Sequence, residues 1–192
     1  MLEQWLLAQW LISPTTITAW TVGTALAVAI SLRIARSKGF PVLPAAAAAV
    51  SIVPILVLSV LPFPGSSYST PASGALGSFL GQFTDPSLIW YIIINFGNSA
   101  EKVANIAIFT PVTHFATIAT RSPGRVLLFL TTMSLLIEAF QTATGRLGDV
   151  GDVLHNSAGA LIGLLLALLT QAGKKSIQQI KMRPASHIDG AR

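Results

Sequence analysis

The sequence contains no cysteine and few charged residues. Without cysteine, neither a disulfide framework nor a thiolate metal site can form. Only 10% of the 192 residues are charged, against about 25% in a typical soluble domain. Hydrophobic residues make up 52% of the chain, and its mean hydropathy is +0.68. The composition therefore excludes an ordinary soluble domain and indicates a membrane protein.

Histidine is also scarce, and the three present are too scattered to form a zinc cage: His114, His155 and His187. We expect His155 to be hydrogen-bonded rather than to serve as a metal ligand. No cofactor signature is evident. A net charge of +5 would suggest nucleic-acid binding in a soluble protein. Here the charges fall between apolar segments, so we expect no nucleic-acid partner.

Five apolar segments are long enough to cross a bilayer as helices, for which roughly 20 residues are required. They are residues 16–34, 42–62, 103–120, 126–144 and 153–172. The predicted fold class is therefore an all-α membrane protein with about five transmembrane helices. We expect that the first segment is not a cleavable signal peptide, because no basic region precedes it and Arg33 and Arg36 follow it instead.

The basic residues are distributed unevenly between the two predicted membrane faces. Ten of the twelve lie on one face: Arg33, Arg36, Lys38, Arg121, Arg125, Lys174, Lys175, Lys181, Arg183 and Arg192. By the positive-inside rule this face is cytoplasmic, so we expect the N-terminus outside and the C-terminus inside. Residues 1–172 are then a single transmembrane domain. Residues 173–192 are a basic cytoplasmic tail, amphipathic or disordered, near anionic lipid.

Two segments are predicted to lie at the outer face. Residues 2–13, with two tryptophans, are expected in the membrane interface, where Trp is enriched; the alternative is that they lengthen the first helix. The loop 63–102 contains Asp85 followed by Pro86, which is typical of a helix start. The apolar run that follows is too short to span. We predict an interfacial or re-entrant helix there, with a packed loop as the alternative.

A set of polar and small residues interrupts the last two apolar segments: Glu138, Gln141, Arg146, Asp149, Asp152, Asn156, Gly159 and Gly163. The five from Asp149 to Gly163 are separated by 3, 4, 3 and 4 residues, which places them on one stripe of a helix. A carboxylate in hydrocarbon costs several kcal/mol unless it is paired or hydrated. The pattern therefore predicts a functional site at the outer ends of these two helices.

Glu138 and Gln141 lie one helical turn apart near the outer end of the fourth predicted span. Glu138 is about six residues, or roughly 9 Å, below the expected helix end. At that depth it cannot face lipid. It is a candidate general base, cation ligand or headgroup contact. The alternative is a structural hydrogen bond between helices, for example to Asn105.

Arg146, Asp149 and Asp152 surround the predicted start of the fifth helix. Two carboxylates at i and i+3 can share a proton or bind a divalent cation, so both aspartates are candidate catalytic residues. The guanidinium of Arg146 suits a phosphate or a carboxylate. Asn156 lies deeper on the same face and is a candidate binding residue. The alternatives are that the aspartates cap the helix and that Arg146 pairs with Asp149.

Packing residues complete the pattern. Gly159 and Gly163 form a small-xxx-small pair that lets a helix approach its neighbour closely. In the third span Asn105 precedes Pro111, whose ring frees a backbone carbonyl and bends the helix. Asn105 would then face the same outer pocket as Glu138.

This pattern resembles the VanZ-like family of bacterial membrane proteins, named for an accessory teicoplanin-resistance protein. The family has an Asn before a Phe-x-Pro, a Glu-x-x-Gln ending the next span, then Arg, two Asp, an Asn and a Gly-xxx-Gly. This chain supplies Asn105, Phe109, Pro111, Glu138, Gln141, Arg146, Asp149, Asp152, Asn156, Gly159 and Gly163. The resemblance covers residues 100–170, with Thr113 where the family often has Gly. It implies a bacterial cytoplasmic-membrane envelope protein, linked in some members to glycopeptide tolerance.

The leading hypothesis is an outer-leaflet pocket that binds or modifies an anionic lipid-linked envelope precursor, or that alters how lipidated teicoplanin meets the membrane. Arg146 would hold a phosphate or carboxylate, and the two aspartates would bind a divalent cation or act as a base. Other expected partners are membrane lipids, a second copy of the chain or a membrane complex. A second hypothesis is a non-catalytic scaffold whose polar residues fix helix register. A transporter is disfavoured because no inverted repeat is present.

Overall fold

The computed structural model describes residues 9–61, 74–146 and 148–181, and all regular structure within these ranges is helical. Five helices are long and apolar enough to cross a membrane. These are α1 (Pro14–Lys38), α2 (Val42–Val60), α5 (Ala100–Thr120), α6 (Pro123–Ala143) and α7 (Val150–Lys181). Between α2 and α5 lie α3 (Ala75–Gly81), a 3₁₀ turn (Gln82–Thr84) and α4 (Pro86–Ile94). The predicted all-α fold with five membrane-spanning helices is therefore confirmed.

The start of α1 is set by local sequence. Ser13 precedes Pro14 and accepts a hydrogen bond from the Thr16 N–H at 3.3 Å, which caps the helix. Residues 9–11 form a separate helical turn before Ser13, so the segment 2–13 does not simply lengthen α1. Trp10 of this turn is buried against α2. Residues 1–8 lie outside the described residues.

The central helix of the bundle is α5, which packs against α2 on one side and α7 on the other. α6 packs against α7, and α1 lies at the periphery against α2. The main core is built from apolar side chains of α2, α5, α6 and α7, among them Ile55, Phe109, Leu130 and Ala160. Because lipid is as apolar as these side chains, close van der Waals packing rather than burial from water stabilises the arrangement.

The described charged residues divide between the two ends of the bundle. Asp85, Glu101, Asp149 and Asp152 lie at one end, which we call the acidic end. Arg33, Arg36, Lys38, Arg121 and Arg125 lie at the other, the basic end. α7 has 32 residues and is about 48 Å long, against roughly 30 Å of hydrocarbon. Its last turns therefore extend beyond the basic end, and residues 182–192 of the predicted tail lie outside the described residues.

The segment between α2 and α5 lies across the acidic end. The predicted helix start at Asp85 is confirmed, because this carboxylate accepts hydrogen bonds from the N–H groups of Ser87 (2.9 Å) and Leu88 (3.2 Å). α3 is a helix that the glycine- and serine-rich sequence did not indicate, and it is held against α6 with its Phe79 fully buried. α4 has nine residues, or about 14 Å, too short to span. Residues 62–73 of the predicted loop lie outside the described residues.

Candidate functional site

Glu138 holds the loop between α6 and α7 rather than another helix. Its side chain is only 3% exposed, and Oε2 accepts a hydrogen bond from the Asp149 N–H at 3.1 Å. Gly148 lies directly against the Glu138 carbonyl and the Thr142 hydroxyl, with no room for a Cβ. The sequence offered a hydrogen bond between helices as the structural alternative, for example to Asn105, but Asn105 donates to Asp152 instead. A carboxylate on a backbone N–H fixes the path of the loop into α7.

Gln82 holds the same loop from the opposite side. Its Nε2 donates to the Gly148 carbonyl at 3.1 Å, and its Oε1 accepts from the Val150 N–H at 3.0 Å. This residue was missed by sequence analysis. The only signal for it is a polar side chain in a short segment of no clear periodicity. Together Gln82 and Glu138 satisfy backbone groups that the start of α7 leaves without helical partners.

Gln141 and Arg146 converge on the end of α2. The Gln141 Nε2 and the Arg146 Nη1 both donate to the Ser59 carbonyl, at 3.5 and 3.3 Å. A carbonyl in the last helical turn lacks a helical donor and attracts a cation. This contact uses one of the five N–H donors of the Arg146 guanidinium, and Arg146 forms no ion pair with Asp149.

The two aspartates have different positions and different partners. Asp149 is exposed and precedes α7, where its Oδ1 accepts from the Gly151 N–H at 2.7 Å as a helix cap. This is the capping role that the sequence offered as an alternative, and the Asp149 carbonyl already accepts a helical hydrogen bond from the Asp152 N–H at 3.1 Å. Asp152 is on α7 and half-buried, and its Oδ1 accepts from Asn105 Nδ2 of α5 at 2.8 Å. Within the described ranges, no three His, Asp or Glu side chains are grouped as a metal site.

Asn156 lies one turn deeper than Asp152 and is 5% exposed. Its Nδ2 donates to the Ser134 hydroxyl of α6 at 2.9 Å, whereas its Oδ1 is buried without a hydrogen-bond partner. Exchanging the two ends of the amide would leave the nitrogen unpaired instead. Either orientation leaves one polar atom unsatisfied, and buried polar atoms of this kind are uncommon in folded proteins.

The two glycines of the stripe bring α7 into backbone contact with α5. A Cβ at Gly159 would collide with the Ile106 carbonyl, and one at Gly163 would collide with the Thr110 carbonyl. The Thr110 hydroxyl also donates to the Gly159 carbonyl at 3.2 Å. Thr113, where the family often has Gly, is fully buried opposite Gly163. The stripe is thus mainly an interface between helices and only its Asp152 end reaches the surface.

His155 ties the connection after α4 to α7. The ring is fully buried and stacks on Phe96 with centroids 4.3 Å apart. Its Nε2 accepts from the Gly97 N–H at 3.3 Å, so the proton is on Nδ1, which donates to the Gly151 carbonyl. His155 is therefore a hydrogen-bonded structural residue, as predicted. The Nδ1 of His114, by contrast, is buried without a hydrogen-bond partner.

These features define a multi-pass helical membrane protein. The buried side chains of Glu138 and His155 and the short helical segment between α2 and α5 hold the acidic end in place. A family model described as VanZ/LLP1 matches residues 47–171, most of the chain. The chain belongs to this family, and it is a VanZ-type envelope protein of a group associated with antibiotic resistance. No curated protein and no solved structure matches the sequence.

Proposed function

We propose that the acidic end binds the polar headgroup of an anionic lipid-linked envelope precursor at the outer leaflet of the cytoplasmic membrane. In this proposal the basic end faces the cytoplasm, an orientation supported by the clustering of Arg33, Arg36 and Arg121 there. The headgroup of such a precursor carries hydroxyl, amide and phosphate groups. The acidic end offers acceptors for the first two and Arg146 for the third.

The observation that carries the proposal is the unsatisfied amide of Asn156. It lies one helical turn below Asp152, whose half-buried carboxylate is at the surface. A hydroxyl or amide N–H that entered beside Asp152 would supply the donor that the Asn156 oxygen lacks. The contact between Asp152 and Asn105 fixes the direction of the carboxylate before a ligand arrives.

The remaining site residues divide by position into supporting residues and residues that a ligand could reach. The side chains of Glu138 and Gln141 are engaged by backbone groups, so they hold the site in shape. Asp149 and Asp152 are accessible. If the bound precursor is modified, Asp152 is the candidate base because its accessible carboxylate is oriented by Asn105 of the neighbouring helix, whereas that of Asp149 caps α7. A divalent cation would bind between Asp152 and the phosphate of the ligand.

A scaffold without ligand is the second candidate function, and one observation favours it. Glu138, Gln141 and Asn105 all use their side chains in hydrogen bonds within the protein. In that case the polar residues serve only to fix helix register in a membrane complex. The two functions differ in what a charge-neutral substitution does: it weakens ligand binding in the first and reduces the amount of folded protein in the second.

Asp152→Asn separates the two functions. An asparagine there can still accept the hydrogen bond from Asn105 while removing the charge. The matched control is Asp85→Asn, an exposed aspartate at the same end of the bundle that caps α4. The full-length protein would be titrated with a polyprenyl-linked cell-wall precursor, with and without Mg²⁺, and bound lipid would be counted by native mass spectrometry.

Binding that weakens in the Asp152 variant and persists in the Asp85 variant supports a headgroup site at the acidic end. Loss of folded protein in the Asp152 variant supports the scaffold. Equal binding by wild type and both variants would show that Asp152 does not contact the precursor.

A further inference from the structure

A groove opens between α2, α5 and α6 at the basic end, away from the acidic end. Its volume is about 520 Å³, within the range of ligand sites in proteins. The small side chains Ala48 and Ala49 of α2 face Ala116 of α5 across it, and Leu130 forms part of its wall. Ala48 and Ala49 belong to a run of alanines near the start of α2. Because alanines fill little space, α2 and α6 leave room between them.

This groove is lined by an arginine whose side chain has no partner among the described residues. Arg125 lines the groove and is exposed. Within the described residues it forms no hydrogen bond or ion pair through its side chain, and the described carboxylates all lie away from the basic end. The neighbouring hydroxyls of Thr120 and Ser122 donate to backbone carbonyls of α5. The cation is therefore free to bind an anion from outside the protein.

The depth of Arg125 matches the level of lipid phosphates. It is the third residue of α6, at the end of a membrane-spanning helix where long basic side chains reach the interface. The first turn of α6 has no side-chain cap, and its exposed N–H groups add positive potential beside the guanidinium. From this level the apolar walls of the groove run toward the middle of the membrane, parallel to a lipid chain.

We propose that this groove holds one acyl chain of an anionic glycerophospholipid whose phosphate is bound by Arg125. A guanidinium binds a phosphate through two parallel hydrogen bonds, which gives the site its preference for a charged headgroup. The apolar walls then contact the chain of the same lipid. A zwitterionic lipid offers the same chain but carries a cation that the basic end repels.

The test compares Arg125→Gln with Arg121→Gln in the full-length protein. Arg121 is also exposed at the basic end but does not line the groove. Phosphatidylglycerol and, separately, phosphatidylcholine would be titrated into detergent-solubilised protein, and the first bound lipid would be followed by native mass spectrometry. We expect Arg125→Gln to weaken phosphatidylglycerol binding by at least about tenfold. The Arg121 variant should stay within about twofold of wild type, because its charge is not at the groove.

A third variant, Ala49→Leu, tests whether the groove holds an acyl chain. A larger side chain fills the groove, so both lipids should bind more weakly. Thermal unfolding in detergent checks that each variant is folded, and the Arg125 comparison decides the proposal if Ala49→Leu does not fold.

Four results would overturn the proposal. Equal phosphatidylglycerol binding by wild type and Arg125→Gln would show that Arg125 does not bind the lipid phosphate. An equal loss in Arg121→Gln shows diffuse surface attraction instead of a site. Unchanged binding in a folded Ala49→Leu variant, or a dimer that Ala49→Leu dissociates, shows that the groove does not hold a lipid chain.

Discussion

Gly163→Ala should destabilise the bundle although alanine favours helix. The added Cβ would collide with the Thr110 carbonyl and lie 2.8 Å from Thr113 Cβ and 3.1 Å from His114 N. Helix propensity alone would stabilise the variant by about 0.5–1 kcal/mol. Overpacking costs about 1–3 kcal/mol. We expect a cost in the upper part of this range, because the Thr110 carbonyl belongs to the backbone and cannot rotate away as a side chain can. The net loss in free energy of unfolding is therefore about 1–2 kcal/mol.

Gly173→Ala is the matched control on the same helix. A Cβ at Gly173 meets no atom within 4 Å, so only the propensity gain of about 0.5–1 kcal/mol remains. Equilibrium unfolding in mixed micelles, followed by circular dichroism, would measure both variants against wild type. A Gly163→Ala protein at least as stable as wild type would refute the close contact between α5 and α7. Adding Thr113→Gly should restore only part of the loss, because the Thr110 carbonyl stays in place.

Three further substitutions test how the acidic end is held. Gln82→Ala removes two hydrogen bonds to the loop, so the free energy of unfolding should fall by about 1–3 kcal/mol and the Val150 amide should exchange faster; unchanged exchange would contradict the contact. His155→Phe keeps the ring stack but loses both hydrogen bonds, so thermal unfolding in detergent should occur at lower temperature, and an unchanged midpoint would contradict this role. Asp85→Ala should speed amide exchange in the first turn of α4 while Asp85→Asn preserves protection, because only asparagine can replace the cap. The Ser87 hydroxyl and then backbone N–H groups lower the pKa of Asp85 below 3.8, so the stability that its charge adds to α4 is fully present above that pH and is lost as the pH falls through the lower folded value. Asp85→Asn should remove this pH dependence, and an equal acid dependence of α4 in wild type and Asp85→Asn would contradict the account.

The five spanning helices could be predicted because span length and hydropathy are local properties of the sequence. The start of α4 was equally local, since Asp85 caps a helix whose first residue is Pro86. Close approach at Gly159 and Gly163 also follows from residue size and spacing alone.

The partners of the site residues could not be predicted in the same way. Glu138 bonds to the loop at Asp149, and Gln82 bonds to the same loop from a segment 66 residues earlier. Such pairs depend on how the chain returns across the end of the bundle, which no local pattern encodes. Asp149 caps α7, which begins one residue after it, and a helix cap is the alternative role that the sequence offered for this residue.

The most direct test of a working site at the acidic end is susceptibility to teicoplanin, with vancomycin as the non-lipidated control. A susceptible bacterium would express wild type, Asp152→Asn or Asp85→Asn, with the amount of each protein in the membrane measured by immunoblot. We expect wild type and Asp85→Asn to raise tolerance to teicoplanin and Asp152→Asn to lose that protection at equal abundance. Full protection by Asp152→Asn, or a loss that only follows a fall in its abundance, would contradict a ligand site at the acidic end.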